Sequence, residues 1–189
     1  MMLANCRIHL RRSAGFTLVE LLVTIAVLGI LATVAVPSYQ NMIETRRLVA
    51  ATEAVYAQLQ FYRSEAIKSG REVDMNVSIR AGTSWCLGMS NATPECDCTA
   101  DECRYGPDLD TAVVGPDLER NLLGSEFQGI SLATSADNVL IDSAQGAFPG
   151  GGGTITLTSA SSKTTKIFMS KFGRIRICTP SSVGGYPAC

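Results

Sequence analysis

Residues 15–37 read GFTLVELLVTIAVLGILATVAVP. After Gly15 come 21 residues, Phe16 to Val36, that are apolar almost throughout, and Glu20 is the only charge among them. At a rise of ~1.5 Å per residue they make a helix of roughly 32 Å, long enough for a hydrocarbon core of ~30 Å. Pro37 closes the run. A carboxylate at membrane depth costs ~2.5–3.5 kcal/mol even on the lenient insertion scale, so Glu20 calls for a partner.

The flanks suggest one. Arg7, Arg11 and Arg12 precede Gly15 and form a short basic segment that stays cytoplasmic under the positive-inside rule. A secretory signal carries its small residues after its apolar core; here Gly15 stands before it. Cleavage between Gly15 and Phe16 would leave the apolar stretch on the product, with a new amine at Phe16, four residues from Glu20. On a neighbouring copy, that amine is a counter-charge for a carboxylate buried between packed helices.

The string GFTLVE, the Glu five residues after the Gly, the unbroken apolar run and Pro37 resemble the class III signal of type IV pilins and type II secretion pseudopilins. The resemblance implies cleavage after Gly15 by a prepilin peptidase and N-methylation of Phe16. It implies assembly with other pilins and minor pilins through the apolar helix, Glu20 docking each subunit on its neighbour's amino terminus. It also implies a single pass through the bacterial inner membrane with a periplasmic C-terminal domain, then a place in a pilus at the cell surface. The chain then divides into a leader at 1–15, a transmembrane and filament-core helix at 16–36, an amphipathic half-helix at 37–70 and a β-rich globular domain at 71–189.

Loss of the leader removes three Arg, leaving 13 basic and 17 acidic residues. From Ser143 to Cys189 there is no Asp or Glu, yet Lys163, Lys166, Lys171, Arg174 and Arg176 all fall there. Such asymmetry points to a localised anionic partner. The one His, His9, belongs to the leader. A mature chain without His has no Ser-His or Cys-His couple and no imidazole ligand. With no GxSxG or GK[ST] motif either, neither catalysis nor a cofactor is expected.

Seven Cys fall to six once Cys6 leaves with the leader. In an oxidising compartment an even count reads as up to three disulfides. Cys178 with Cys189 would close a C-terminal loop around Pro180, Gly184, Gly185 and Pro187, leaving Cys86, Cys96, Cys98 and Cys103 to pair among themselves. The rival, a four-thiolate zinc or iron site, is disfavoured because the spacing C-x9-C-x-C-x4-C lacks two CxxC knuckles.

Past Pro37 the apolar period changes. Met42, Val49, Thr52, Val55, Tyr56, Leu59, Tyr62 and Ala66 recur at three-, four- and seven-residue steps, one stripe of an amphipathic helix, with Gly70 placed to end it. A helix from about Phe16 to Ser69, bent at Pro37, is expected. Val73, Met75, Val77 and Ile79 then alternate with polar residues as a half-buried strand does. Thr83 to Met89 is expected as a second strand holding the only Trp, Trp85, in the core.

Residues 90–124 read as irregular. They contain GPDL twice, with Asp101, Glu102, Asp108, Asp110, Asp117 and Glu119. Converging oxygens could hold calcium; turns built on Pro-Asp explain the repeat as well. Further strands are expected at Gly129–Ala133, Val139–Ile141, Thr154–Thr158, Lys166–Ser170 and Gly173–Thr179. GAFPGGGG at 146–153 reads as a flexible turn without the Lys-Ser/Thr of a phosphate loop, and 154–158 with 165–169 as a hairpin. A helix followed by antiparallel strands is an α+β plan, similar to the pilin fold. Trp85, the Gly-rich turn and the terminal hairpin resemble the GspH/FimT subgroup of minor pilins and pseudopilins.

In KFGRIRIC the side chains alternate, so Arg174 and Arg176 share one strand face and Ile175 and Ile177 the other. With the Ile face in the core, two guanidiniums stand roughly 7 Å apart in solvent, close to the spacing of consecutive phosphates. The string G-R-x-R is similar to the C-terminal motif of FimT-type pilins, which implies capture of extracellular double-stranded DNA for natural transformation by Gly173, Arg174 and Arg176. Charge alone adds Lys163, Lys166 and Lys171. The alternative is a structural minor pilin, or a type II secretion pseudopilin, that primes filament assembly and protein secretion. There the cations would guard an exposed strand or meet acids on another subunit.

Overall fold

The computed structural model describes residues 15–69, 75–90, 96–100, 103 and 121–189. The leader residues before Gly15, Gly70, Val73, both GPDL strings and the six acidic residues of 101–119 lie outside them. The chain divides into two compact units, 1–40 and 41–189.

One helix, α1 (Leu18–Ser69), continues through Pro37. It starts at Leu18 and not at Phe16, because Thr17 caps it: the Glu20 backbone N–H donates to Thr17 Oγ1 at 3.2 Å. Thr17 and Glu20 thus stand at the first and last positions of a capping-box sequence, and an acid in the first turn also suits the helix dipole. In the first unit the apolar part of α1 is long and apolar enough to cross a membrane, and its most apolar stretch is unburied within the chain. Its two hydroxyls there are satisfied locally, Thr24 donating to Leu21 O and Thr33 to Ile30 O, as a hydrocarbon setting requires.

In the second unit α1 buries Leu48, Ala51, Thr52, Val55, Leu59, Tyr62 and Ala66. The stripe is the expected one shifted slightly. Leu48 and Ala51 join it, Val49 and Tyr56 lie at its margin, and Met42 is exposed.

Among the described residues eight strands make two antiparallel sheets. They are β1 (Met75–Arg80), β2 (Cys86–Ser90), β3 (Leu122–Leu123), β4 (Ile130–Thr134), β5 (Asn138–Ile141), β6 (Gly153–Ser159), β7 (Thr164–Met169) and β8 (Ile175–Cys178). The first sheet runs β3-β2-β1-β5 and the second β4-β6-β7-β8. The expected second strand starts three residues late. Gly82 is taken by reciprocal hydrogen bonds to Leu132, and the chain bends after it. Strand β3, within the stretch read as irregular, was not expected; two residues carry no period.

Both sheets and α1 close on one core that includes Trp85, Leu87, Ile130, Phe148, Ile155, Leu157 and Ile167. Trp85 is buried as expected. Its indole N–H donates to Ile130 O at 3.1 Å, and its ring stacks on Phe127 at 5.7 Å. Tyr62 Oη donates to Leu87 O at 3.1 Å, tying α1 to the first sheet, while the Thr52 and Thr165 hydroxyls meet at 2.6 Å and tie it to the second. The disulfides are Cys86–Cys98, Cys96–Cys103 and Cys178–Cys189. Among the described residues no group of side chains is arranged to hold a metal ion. The C-terminal loop is pinned twice, by Cys178–Cys189 and by Tyr186 Oη donating to Glu53 Oε1 at 2.5 Å. Burial, then the Glu53 carboxylate, raise the Tyr186 phenol well above its ordinary pKa.

Candidate nucleic-acid interface

Strands β7 and β8 pair Lys166 with Cys178, Ile167 with Ile177, Phe168 with Arg176 and Met169 with Ile175. Side chains alternate along each strand, so Lys166, Phe168, Arg176 and Cys178 share the outer face of the second sheet. Ile167, Met169 and Ile175 are buried on the inner face, whereas Arg176 is exposed. Paired with these on β6 are Thr154, opposite Phe168, and Thr156, opposite Lys166. The outer face therefore carries two cations, a row of hydroxyls and one aromatic ring. Lys166 and Arg176 are diagonal neighbours on it, roughly 7–8 Å apart by sheet geometry.

Arg174 is exposed but precedes β8, so it stands on the closing turn and not on the ladder. That turn is tight: Gly173 N–H donates to Ser170 O at 3.0 Å, Ser170 N–H to Arg174 O at 2.9 Å and Arg174 N–H to Ser170 Oγ at 3.2 Å. Gly173 has φ +81°, in the left-handed region where a Cβ is penalised. A Cβ there would also run into Gly146 O and come within 3.0 Å of the Arg63 guanidinium. Gly173 is required by backbone shape, which is a reason for a Gly before R-x-R that involves no ligand.

Arg63, on α1, was not anticipated as part of this site. Its Nε donates to Gly146 O at 2.8 Å, which sets the guanidinium against Gly173. Lys171 O accepts from Phe148 N–H at 3.1 Å, so the turn is also held from the buried core. Phe172 at its tip is 79% exposed, and Lys171 Nζ lies 4.9 Å from its ring centroid. Only tertiary contact reveals Arg63, whereas an aromatic between Lys171 and Gly173-Arg174 was a visible signal for Phe172.

Lys163 is separated from this group. It lies at the other end of β7 from Lys171, six strand residues or about 20 Å away. There its Nζ donates to Thr45 Oγ1 at 2.8 Å and reaches Asn41 O at 3.5 Å. Of the expected basic residues, the hairpin assembles Lys166, Lys171, Arg174 and Arg176, with Arg63 behind. None of these four forms a salt bridge with a described residue; the pairs that do form are Lys68–Glu65 and Arg80–Asp97. Arg176 also lines a cleft of about 330 Å³ with Phe168, Ile177, Pro187 and the Cys178–Cys189 disulfide. Hydroxyls, guanidiniums and rings on such a face can bind phosphates and stack planar groups.

An N-terminal helix that is apolar first and amphipathic after, packed in its later half on antiparallel sheets, is the type IV pilin fold. Residues 51–173 match the family described as Type II transport protein GspH, and residues 10–36 match the prokaryotic N-terminal methylation motif; the chain belongs to the GspH family. A fimbrial protein of Pseudomonas aeruginosa is 31% identical over 84 residues, 44% of this chain and 53% of that one. The type IV major fimbrial protein FimA of Dichelobacter nodosus is 37% identical over 60 residues, 32% of this chain and 37% of that one. Fimbrial protein Q of Moraxella bovis is 38% identical over 82 residues, 37% of this chain and 51% of that one. The matches thus span about half the length of these relatives or less. The crystal structure of the type IV minor pilin FimU of Pseudomonas aeruginosa has the same fold, at TM-score 0.50 and 19% identity, covering 75% of this chain and 94% of that one.

Proposed function

We propose that the chain is a minor type IV pilin that binds extracellular double-stranded DNA without sequence preference through the β7–β8 hairpin, for natural transformation. On this reading a prepilin peptidase removes residues 1–15, and Phe16 becomes the methylated amino terminus. The subunit waits in the inner membrane with residues 41–189 in the periplasm, then joins other pilins, Glu20 meeting the Phe16 amine of a neighbour. The observation that carries the DNA reading is four hairpin cations without an acid partner among the described residues, within 47 residues that contain no Asp or Glu.

Phosphate contacts position without reading bases, so affinity follows salt. With four cations engaged, log K falls with log salt at a slope of about −3.6, or about 150-fold between 50 and 200 mM. Arg174→Ala with Arg176→Ala should roughly halve that slope. Polarisation assays on the detergent-solubilised chain across a salt series test this; a double variant with the parent's affinity and slope refutes the site.

The family's description as a type II transport protein favours a second reading, a structural pseudopilin whose hairpin meets other subunits. A deletion that abolishes transformation and leaves pili intact supports DNA capture. Loss of filaments or of secreted proteins supports the structural role.

A further inference from the structure

We infer that Phe172 is a base-stacking platform, so that the hairpin, which holds duplex DNA through its phosphates alone, holds a single strand or the frayed end of a duplex more tightly. The inference rests on the nucleic-acid reading above and sharpens its substrate. A lone exposed Phe is ordinary on a protein surface, but three features set this one apart. First, its position is held: the Lys171 carbonyl is bonded to Phe148 N–H, and Gly173 packs on Gly146 O and the Arg63 guanidinium. The ring is therefore presented on a fixed tip and not on a slack loop, which lowers the entropy lost on binding.

Second, its neighbours are cations, with Lys171 Nζ 4.9 Å from the centroid and the exposed Arg174 two residues on. A ring flanked by cations suits a stacked base whose adjoining phosphates need neutralising. Third, the outer face behind it continues the same chemistry, with Arg176 opposite Phe168 and Lys166 one step further. From the Phe172 turn the strand runs back from Met169 to Lys166, about 10 Å, along which a backbone can track past Arg176 with Phe168 as a second ring. Bases in an intact duplex are stacked on one another and cannot reach either ring; splayed bases can. A lipid surface is the poorer occupant, because Thr154, Thr156, Lys166 and Arg176 make this face polar and not apolar.

The test is fluorescence polarisation of a 5′-labelled 20-mer, as a single strand and as a blunt duplex, against the full chain in detergent micelles at fixed salt. The variants are Phe172→Ala, Phe172→Leu and Phe172→Trp. The parent should bind the single strand more tightly. Phe172→Ala should weaken single-strand binding about tenfold, the effect of removing one stacked base, and leave intact-duplex binding within about twofold. Phe172→Leu should behave like Phe172→Ala, and Phe172→Trp should match or exceed the parent. Since the side chain is solvent-exposed, circular dichroism should be unchanged in all three.

Equal affinity of the parent for both forms, with no effect of Phe172→Ala, overturns the stacking role and leaves the phosphate-binding hairpin standing. Failure of the parent to bind either form overturns both. Phe172-dependent binding to phosphatidylglycerol vesicles in place of DNA overturns the inference in favour of a membrane contact.

Discussion

Gly173 joins a left-handed backbone angle to a close approach, so Gly173→Ala separates turn geometry from charge. Two effects add. An L-residue at φ +81° is disfavoured by roughly 1–2 kcal/mol. The new methyl also collides with Gly146 O and crowds Arg63 Nε and Nη2, each 3.0 Å away. The carbonyl belongs to a backbone held by Gly146 N–H to Asp142 O at 2.7 Å, so it cannot simply swing aside. Relief requires displacing the Arg63 guanidinium from Gly146 O, a charge-assisted bond worth about 1.5–3 kcal/mol. The total is about 2.5–5 kcal/mol.

Gly129→Ala is the control. Gly129 has φ +79° but open space where the methyl would go, so only the angle is penalised, by about 1–2 kcal/mol. At roughly 2–4 °C per kcal/mol for a domain of this size, Gly173→Ala should melt about 5–20 °C below the parent and Gly129→Ala only about 2–8 °C below. Circular dichroism melts of the full chain in one detergent measure both. Equal losses in the two variants would refute the packing of Gly173 against Gly146 and Arg63.

Other outcomes follow from contacts elsewhere. Thr52 Oγ1 donates to Leu48 O at 2.7 Å and so accepts from Thr165. Thr52→Val then leaves a buried hydroxyl without its acceptor and should destabilise by about 1–3 kcal/mol, while adding Thr165→Val should recover part of the loss in denaturant titrations. Tyr186→Phe removes the bond to Glu53 and should lower stability by about 0.5–1 kcal/mol at pH 7, the pair being near the surface. Because folding raises the Tyr186 pKa, its contribution is complete below the ordinary phenol value of about 10 and fades as pH rises above it. Stability–pH curves of parent and Tyr186→Phe should therefore converge at high pH; a constant gap excludes the linkage.

By itself the sequence determined what depends on near neighbours. The 21-residue apolar run, the three- and four-residue steps from Val49 to Ala66 and the alternation of Arg176 with Ile175 and Ile177 each repeat with the period of the element they form. The 154–158 with 165–169 hairpin and the Cys178–Cys189 loop closed as expected because little chain separates their ends. For Cys86, Cys96, Cys98 and Cys103 the set was legible, but which of them pair was not.

Tertiary structure decided what depends on distant chain. Arg63 reaches Gly146 across 83 residues of sequence, and that contact crowds Gly173 beyond what its turn angle alone demands. Lys163 and Lys171 look like members of one basic run, yet a strand between them sends one to Thr45 on α1 and the other to an exposed tip beside Phe172. Net charge is a sum over residues, whereas a binding surface is a set of directions in space. Strand register and helix packing assign those directions.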